Sequence, residues 1–127
     1  MPLSFFERRK ILKKVNYLDI IPYRIHKEEI DENGLVTVLI PKFKRKFANN
    51  ILTGIGKQHE IRIKLDEFGS EVWLLLNGRQ NVSNITNILI NKFGERIQPA
   101  EERLTKFLTN LYVQGFISFN EIKAKGD

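Results

Sequence analysis

The sequence predicts an α+β fold: a three-stranded antiparallel sheet followed by a three-helix bundle, in a winged-helix-like arrangement. Three observations carry this prediction. Residues 22–41 are rich in β-branched residues and contain a turn signal, residues 59–65 alternate polar with apolar residues, and helical spacing begins at Asp66. A length of 127 residues suits one domain.

The first two strands are predicted at 22–30 and 35–41. Asn33-Gly34 lies between them, and this dipeptide favours a tight hairpin because both residues tolerate positive φ. The segment 41–58 contains proline, two glycines and a lysine-rich cluster, which break the strand pattern. It is therefore predicted to be a long basic connection.

The third strand is predicted at 59–65. Its apolar residues Ile61, Ile63 and Leu65 point one way, and its charged residues point the other. A charged outer face is typical of a half-buried strand at the edge of a sheet.

Each of the three helices has a start signal and a stop signal. The predicted N-terminal signals are Asp66, Ser83 and the segment Pro99–Glu102, and the predicted ends are Asn77-Gly78, Gly94 and Gly115. The core faces include Trp73, Ile85 and Leu108. Residues 116–119 are predicted to be a short extended end.

The domain organisation follows from these elements. Residues 1–19 are predicted to be a basic N-terminal arm, residues 20–119 the folded domain, and residues 120–127 a polar, disordered tail. The first 15 residues mix charges with apolar residues, which is unlike a secretory signal, and no apolar stretch is long enough to cross a bilayer. We therefore expect a cytoplasmic protein without membrane insertion.

Composition argues against catalysis. The chain has no cysteine, which excludes a disulfide framework and a thiol nucleophile, and His26 and His59 do not form a metal-ligand spacing. No phosphate-binding loop or nucleophile elbow occurs, and the acidic residues near the hairpin are typical of a solvated turn. We expect no enzyme activity, no metal and no cofactor.

The net charge of +6 leaves nucleic-acid binding as the rival function. Residues 1–64 carry fourteen Lys/Arg and seven Asp/Glu. The basic residues are concentrated at 8–14 and 42–46. A recognition helix usually presents its basic residues to the DNA groove, but the third helix balances Arg103 and Lys106 with two glutamates. The charge distribution therefore favours a peptide ligand.

Residues 63–85, IKLDEFGSEVWLLLNGRQNVSNI, resemble the PqqD family, with its Leu-Asp-Glu start, apolar-Trp pair and Asn-Gly. Phe93-Gly94 and the segment 111–117 are similar to the rest of the family pattern, so that the resemblance covers about residues 20–119. The long 41–58 connection and the 1–19 arm depart from it. The resemblance implies a domain that binds the leader of a ribosomally made precursor peptide and presents it to a modifying enzyme, often a radical-SAM protein.

The resemblance further implies that the leader adds as a strand to the third strand and packs against the third helix. Mapped onto this chain, the expected peptide-binding residues are Ile61, Arg62, Ile63, Lys64, Arg103, Lys106, Phe107, Asn110 and Gln114. The four cations would attract acidic leader residues, and proline at Ile63 would abolish binding if the N–H of that residue faces outward.

Other interpretations of these residues stay open. The strand cations could protect the sheet edge, the helix cations could form a solvated face, and Phe107 could belong to the core. An open edge strand also makes a homodimer by strand exchange possible.

Overall fold

The computed structural model describes residues 16–41 and 60–123. The predicted basic connection at 41–58 lies outside the described residues except for Pro41, and so do most of the arm (1–15) and the end of the tail (124–127). The described chain divides into two compact units, one drawn from Met1–Ile25 with Glu71–Asp127 and the other from His26–Ser70. The domain boundaries predicted from the sequence stay a prediction.

The elements follow in the order that the sequence predicts, with additions at both ends. The strands are β1 (Pro22–Arg24), β2 (Lys27–Ile30), β3 (Val36–Pro41), β4 (Glu60–Lys64) and β5 (Ile117–Phe119). The helices are α1 (Glu67–Leu75), α2 (Val82–Phe93), α3 (Ala100–Val113) and the short α4 (Asn120–Lys123), and 3₁₀ turns lie at Tyr17–Asp19 and Gly94–Ile97.

The unit His26–Ser70 contains an antiparallel sheet in the order β2-β3-β4. The register pairs Val38 with Glu28 on one side and with Ile63 on the other. Because the side chains of directly paired residues share a face, the buried Val36 and Val38 lie on the same face as Ile30 and Ile63, a largely apolar face that also carries Glu28. The predicted α+β class, with three antiparallel strands followed by helices, is confirmed.

The hairpin between β2 and β3 is closed by an aspartate rather than by an Asn-Gly pair. The Asp31 carboxylate accepts hydrogen bonds from the N–H groups of Asn33 and Leu35, at 2.8 and 2.9 Å. Gly34 has φ +84°, whereas Asn33 does not have a positive φ. The loop therefore needs one left-handed residue, not the two of the predicted turn.

The prediction that residues 22–30 form one strand paired with 35–41 is wrong for its first part. Its first part, β1, pairs with β5, and only its second part, β2, pairs with β3. The change of partner follows from β5, where Ile117 and Phe119 are almost fully buried and need a paired backbone. An extended segment read from composition does not reveal its partner.

The other unit is built around side chains of the three long helices. Trp73 and Leu76 are fully buried, and so is Leu104 on α3. Further buried apolar residues on the helices are Val72, Val82, Ile85, Leu89, Phe93, Ala100, Leu108 and Leu111. The predicted core positions Trp73, Ile85 and Leu108 are confirmed by this burial.

The helix ends largely match the signals in the sequence. The Asp66 carboxylate accepts a hydrogen bond from the Gly69 N–H at 2.7 Å, as expected of an N-cap. Gly94 and Gly115 follow α2 and α3 with φ values of +62° and +82°, which a side chain would disfavour.

The predicted Ser83 cap is wrong. α2 begins at Val82, and the side chain of Asn81 accepts a hydrogen bond from the Asn84 N–H at 2.8 Å. We expect Asn81→Ala to lower the free energy of unfolding by about 1 kcal/mol, and Ser83→Ala to change it by less than about 0.5 kcal/mol. Urea unfolding of the two variants beside the parent chain measures this difference, and equal losses would contradict the Asn81 cap.

The chain after Phe119 is not a disordered tail up to Lys123. Asn120–Lys123 form α4, in which Ile122 is fully buried. The Asn120 amide donates to the Gly78 carbonyl at 2.9 Å, and the Glu121 carboxylate accepts from the Ile21 N–H at 3.1 Å. One apolar residue and two specific hydrogen bonds thus order a segment whose average composition is polar.

Candidate functional site

The outer edge of β4 is the first candidate surface. Among the described residues, β4 pairs with β3 alone. The Leu65 N–H donates to the Val36 carbonyl at 2.9 Å, so the backbone groups of Leu65 point toward β3. Residues of an antiparallel pair alternate between facing the partner strand and facing away from it. Ile61 and Ile63 therefore face β3, and Glu60, Arg62 and Lys64 present their N–H and C=O groups at the outer edge.

This alternation corrects one expectation from the sequence. Proline at Ile63 was expected to test strand addition if that N–H faces outward, but the register turns it toward β3. The residues whose backbone donors can meet an added strand are Arg62 and Lys64. Both side chains are exposed, and both lie within the segment predicted from the sequence.

The side chains of β4 divide between an apolar and a charged face. Ile61 and Ile63 share a face with the buried Val36 and Val38, because the register pairs Ile63 with Val38. Ile63 is half-buried, whereas Ile61 remains 43% exposed. The apolar face therefore continues to the outer edge, where it is incompletely covered by the described residues.

The two cations of β4 differ in their electrostatic surroundings. The Arg62 guanidinium forms an ion pair with the Glu29 carboxylate, and its other nitrogen lies 3.8 Å from the Glu60 carboxylate. Within residues 16–41 and 60–123, the Lys64 ammonium has no ion-pair or hydrogen-bond partner. Arg62 is thus paired with carboxylates of the same sheet, whereas no described residue compensates the positive charge of Lys64.

The second candidate surface is the outer side of α3, in the other unit. Arg103, Lys106, Asn110 and Gln114 are exposed, and Phe107 is half-buried. The sequence predicts these positions as a stripe beside the core face, and the exposure pattern confirms that placement. Their contact with a peptide stays a prediction.

Arg103 also has a structural contact that the sequence does not reveal. One of its guanidinium nitrogens donates to the Arg96 carbonyl at 2.9 Å, in the 3₁₀ turn that precedes α3. The Arg96 guanidinium in turn lies 5.0 Å from the centre of the Phe93 ring. Arg103 therefore ties the start of α3 to the preceding turn, and Lys106 is the better residue for testing charge alone.

A polar hollow of about 470 Å³ lies elsewhere in the helical unit. Its lining residues are Tyr23, Arg24, Leu76, Asn77, Gly78 and Asn120. The Asn120 amide already donates to the Gly78 carbonyl, and the Asn77 side chain accepts from the Arg79 N–H at 2.9 Å. These hydrogen bonds indicate that the hollow has a structural role, in which its polar groups connect β1, the end of α1 and α4.

Tyr17 is a half-buried titratable residue of the helical unit. Burial raises the pKa of the Tyr17 hydroxyl more than the Thr105 side chain lowers it, and the Glu101 carboxylate adds to the rise, so this tyrosine is neutral at physiological pH. In the parts of the chain that the structure describes, no three His, Asp or Glu residues form a group that could hold a metal ion. Likewise, none of the helices seen there is long and apolar enough to span a membrane.

Comparison with known proteins supplies a family for this arrangement. Residues 58–117 match the family model described as Coenzyme PQQ synthesis protein D (PqqD). Neither the curated proteins nor the solved structures contain a match. The matched segment runs from the start of β4 to the start of β5, so it includes both candidate surfaces, and the family implies binding of a precursor peptide. The resemblance in the sequence is thereby confirmed: residues 58–117 of this chain match the PqqD family model.

Proposed function

We propose that this protein is a non-catalytic binding module that recognises the leader of a ribosomally made precursor peptide and presents it to a modifying enzyme of the radical-SAM type. The observation that carries the proposal is the outer edge of β4, with which no described strand pairs and which lies inside the segment matched by the family model. The module works in the cytoplasm and uses no metal or cofactor of its own. Its partners are the precursor peptide and the maturing enzyme, and a homodimer through the same edge would compete with the peptide.

Strand addition is the binding mode that this edge favours. Arg62 and Lys64 together offer two N–H and two C=O groups that an extended peptide can pair with. A net value of about 0.5–1.5 kcal/mol for each hydrogen bond gives about 2–6 kcal/mol. Micromolar affinity requires about 8 kcal/mol, before the cost of ordering the peptide. Side-chain contacts must therefore supply the remainder and the selectivity.

The outer side of α3 is the second surface of this proposal. Lys106 and Arg103 attract acidic residues of the leader, Phe107 offers an apolar contact, and Asn110 and Gln114 offer amide groups for hydrogen bonds. Exposed charges contribute modestly and are screened by salt, so they tune affinity rather than create it. The support for this surface is its exposure together with the peptide contact that the resemblance implies for the third helix.

An amide NMR titration of the full chain tests the proposed function. The probe is the leader of a small precursor encoded beside this protein, and a short DNA duplex is titrated separately. We expect the peptide to shift the amide signals of residues 60–65 and 101–115, and the duplex to shift neither segment. Salt-sensitive shifts with DNA at residues 8–14 and 42–46 would instead support nucleic-acid binding, the rival function that the basic charge suggests.

Charge reversal on α3 gives a second prediction. We expect Lys106→Glu to weaken binding of an acidic leader about two- to fivefold at low salt, and the difference should shrink as salt increases. Arg79→Glu is the matched control, because it changes the net charge equally at another exposed position. Fluorescence anisotropy with a labelled leader measures both variants. Equal losses of affinity at the two positions would mean that Lys106 acts only through the net charge of the protein and not through a contact with the leader.

A further inference from the structure

We infer that the peptide accepted by β4 is an amphipathic strand of period two, with an acidic residue opposite Lys64 and no charge requirement opposite Arg62. This inference rests on the proposed strand addition and specifies the ligand of that site. It follows from three features of the described sheet: the alternation of faces along β4, the exposure of its apolar face, and the unequal neutralisation of its two cations.

The alternation of faces fixes which side chains of the ligand meet which residues of β4. Directly paired residues of neighbouring strands place their side chains on the same face of the sheet. Ligand residues opposite Ile61 and Ile63 therefore extend the apolar face, and those opposite Arg62 and Lys64 extend the charged face. A slip of one residue would exchange the two sets, so the ligand must alternate to bind in one register.

The described residues leave the apolar face partly uncovered at this edge. Ile61 is 43% exposed although its neighbours Val38 and Ile63 are buried and half-buried. Apolar side chains of an added strand would lie beside Ile61 and Ile63 and remove part of their surface from water. The apolar half of the ligand pattern follows from this position.

The charged face sets the other half of the pattern. The register places Lys64 beside Thr37, and Thr37 beside Glu29. The Glu29 carboxylate is paired with Arg62, which also has Glu60 nearby, and no described residue neutralises Lys64. An opposite charge directly across two strands is stabilising and a like charge is destabilising. An acidic ligand residue is therefore favoured opposite Lys64, and a basic one is disfavoured there.

A selection from random peptides tests this inference without knowledge of the natural leader. A display library of twelve-residue random peptides is selected on the full chain and on its Lys64→Gln, Lys64→Glu and Arg62→Gln variants. We expect the parent pool to alternate apolar and polar residues, with an acid enriched about two- to fivefold at one polar position. Lys64→Gln should remove that enrichment, Lys64→Glu should replace it by Lys or Arg, and Arg62→Gln should keep it.

The outcomes separate this inference from the proposed function. All three variants alter exposed side chains, and thermal unfolding checks that they fold. Selected peptides that shift no amide signals at 60–65 would overturn strand addition, and the ligand pattern with it. Peptides that shift those signals but lack alternation, or whose acid preference does not depend on Lys64, would overturn the ligand pattern alone. Equal loss of the acid preference in Lys64→Gln and Arg62→Gln would overturn it too.

Discussion

Arg62→Pro is expected to weaken leader binding by at least about tenfold while the chain stays folded. The Arg62 N–H faces the outer edge of β4, so proline removes a donor that an added strand would use but none that β3 uses. The proline ring also occupies space at the edge where the ligand backbone would lie. Isothermal titration with the leader peptide measures the loss, and thermal unfolding measures the stability.

Two further variants serve as controls for this prediction. Arg62→Ala removes the same side chain but keeps the N–H, so it separates the backbone effect from loss of the guanidinium. Ile63→Pro places proline where the N–H faces β3, and we expect it to destabilise the sheet by about 3 kcal/mol or more. A folded Arg62→Pro variant that binds the leader as tightly as Arg62→Ala does would rule out strand addition at β4.

The sequence predicts the local elements well because their signals are local. The alternation of polar and apolar residues from Glu60 to Leu65 predicts β4. Gly94 and Gly115 mark the ends of α2 and α3, where the backbone has a positive φ that glycine adopts without steric cost. The position of the helix stops depends on one residue and its immediate neighbours. Asn81 and Ser83 show the limit, because both are good caps and two residues separate the alternatives.

Contacts between residues distant in sequence could not be predicted, because local sequence patterns do not specify them. β1 pairs with β5 across more than ninety residues, and no local pattern in Pro22–Arg24 specifies Ile117–Phe119 as its partner. The Glu29–Arg62 ion pair likewise depends on the order of the strands in the sheet. The sequence names Arg62 and Lys64 as equivalent cations, and only the folded sheet separates them.

The direction of each N–H on β4 is a third property of the register. Period-two alternation tells which side chains share a face, but it does not tell which backbone groups face β3. One hydrogen bond, from the Leu65 N–H to the Val36 carbonyl, settles the direction for the strand. The candidate segment was therefore predicted from the sequence, whereas the residues within it that can receive a ligand strand were not.

Ile122→Ala is expected to lower the free energy of unfolding by about 2–5 kcal/mol, as for other fully buried isoleucines. The sequence places Ile122 in a polar tail, yet α4 buries it in the unit that carries α3. Val113→Ala is the matched control, because Val113 is 68% exposed and should lose less than about 0.5 kcal/mol. Urea unfolding followed by the fluorescence of Trp73, a buried residue of the same unit, measures both variants. Equal losses of unfolding free energy in the two variants would mean that α4 does not stabilise the core of the unit that carries α3.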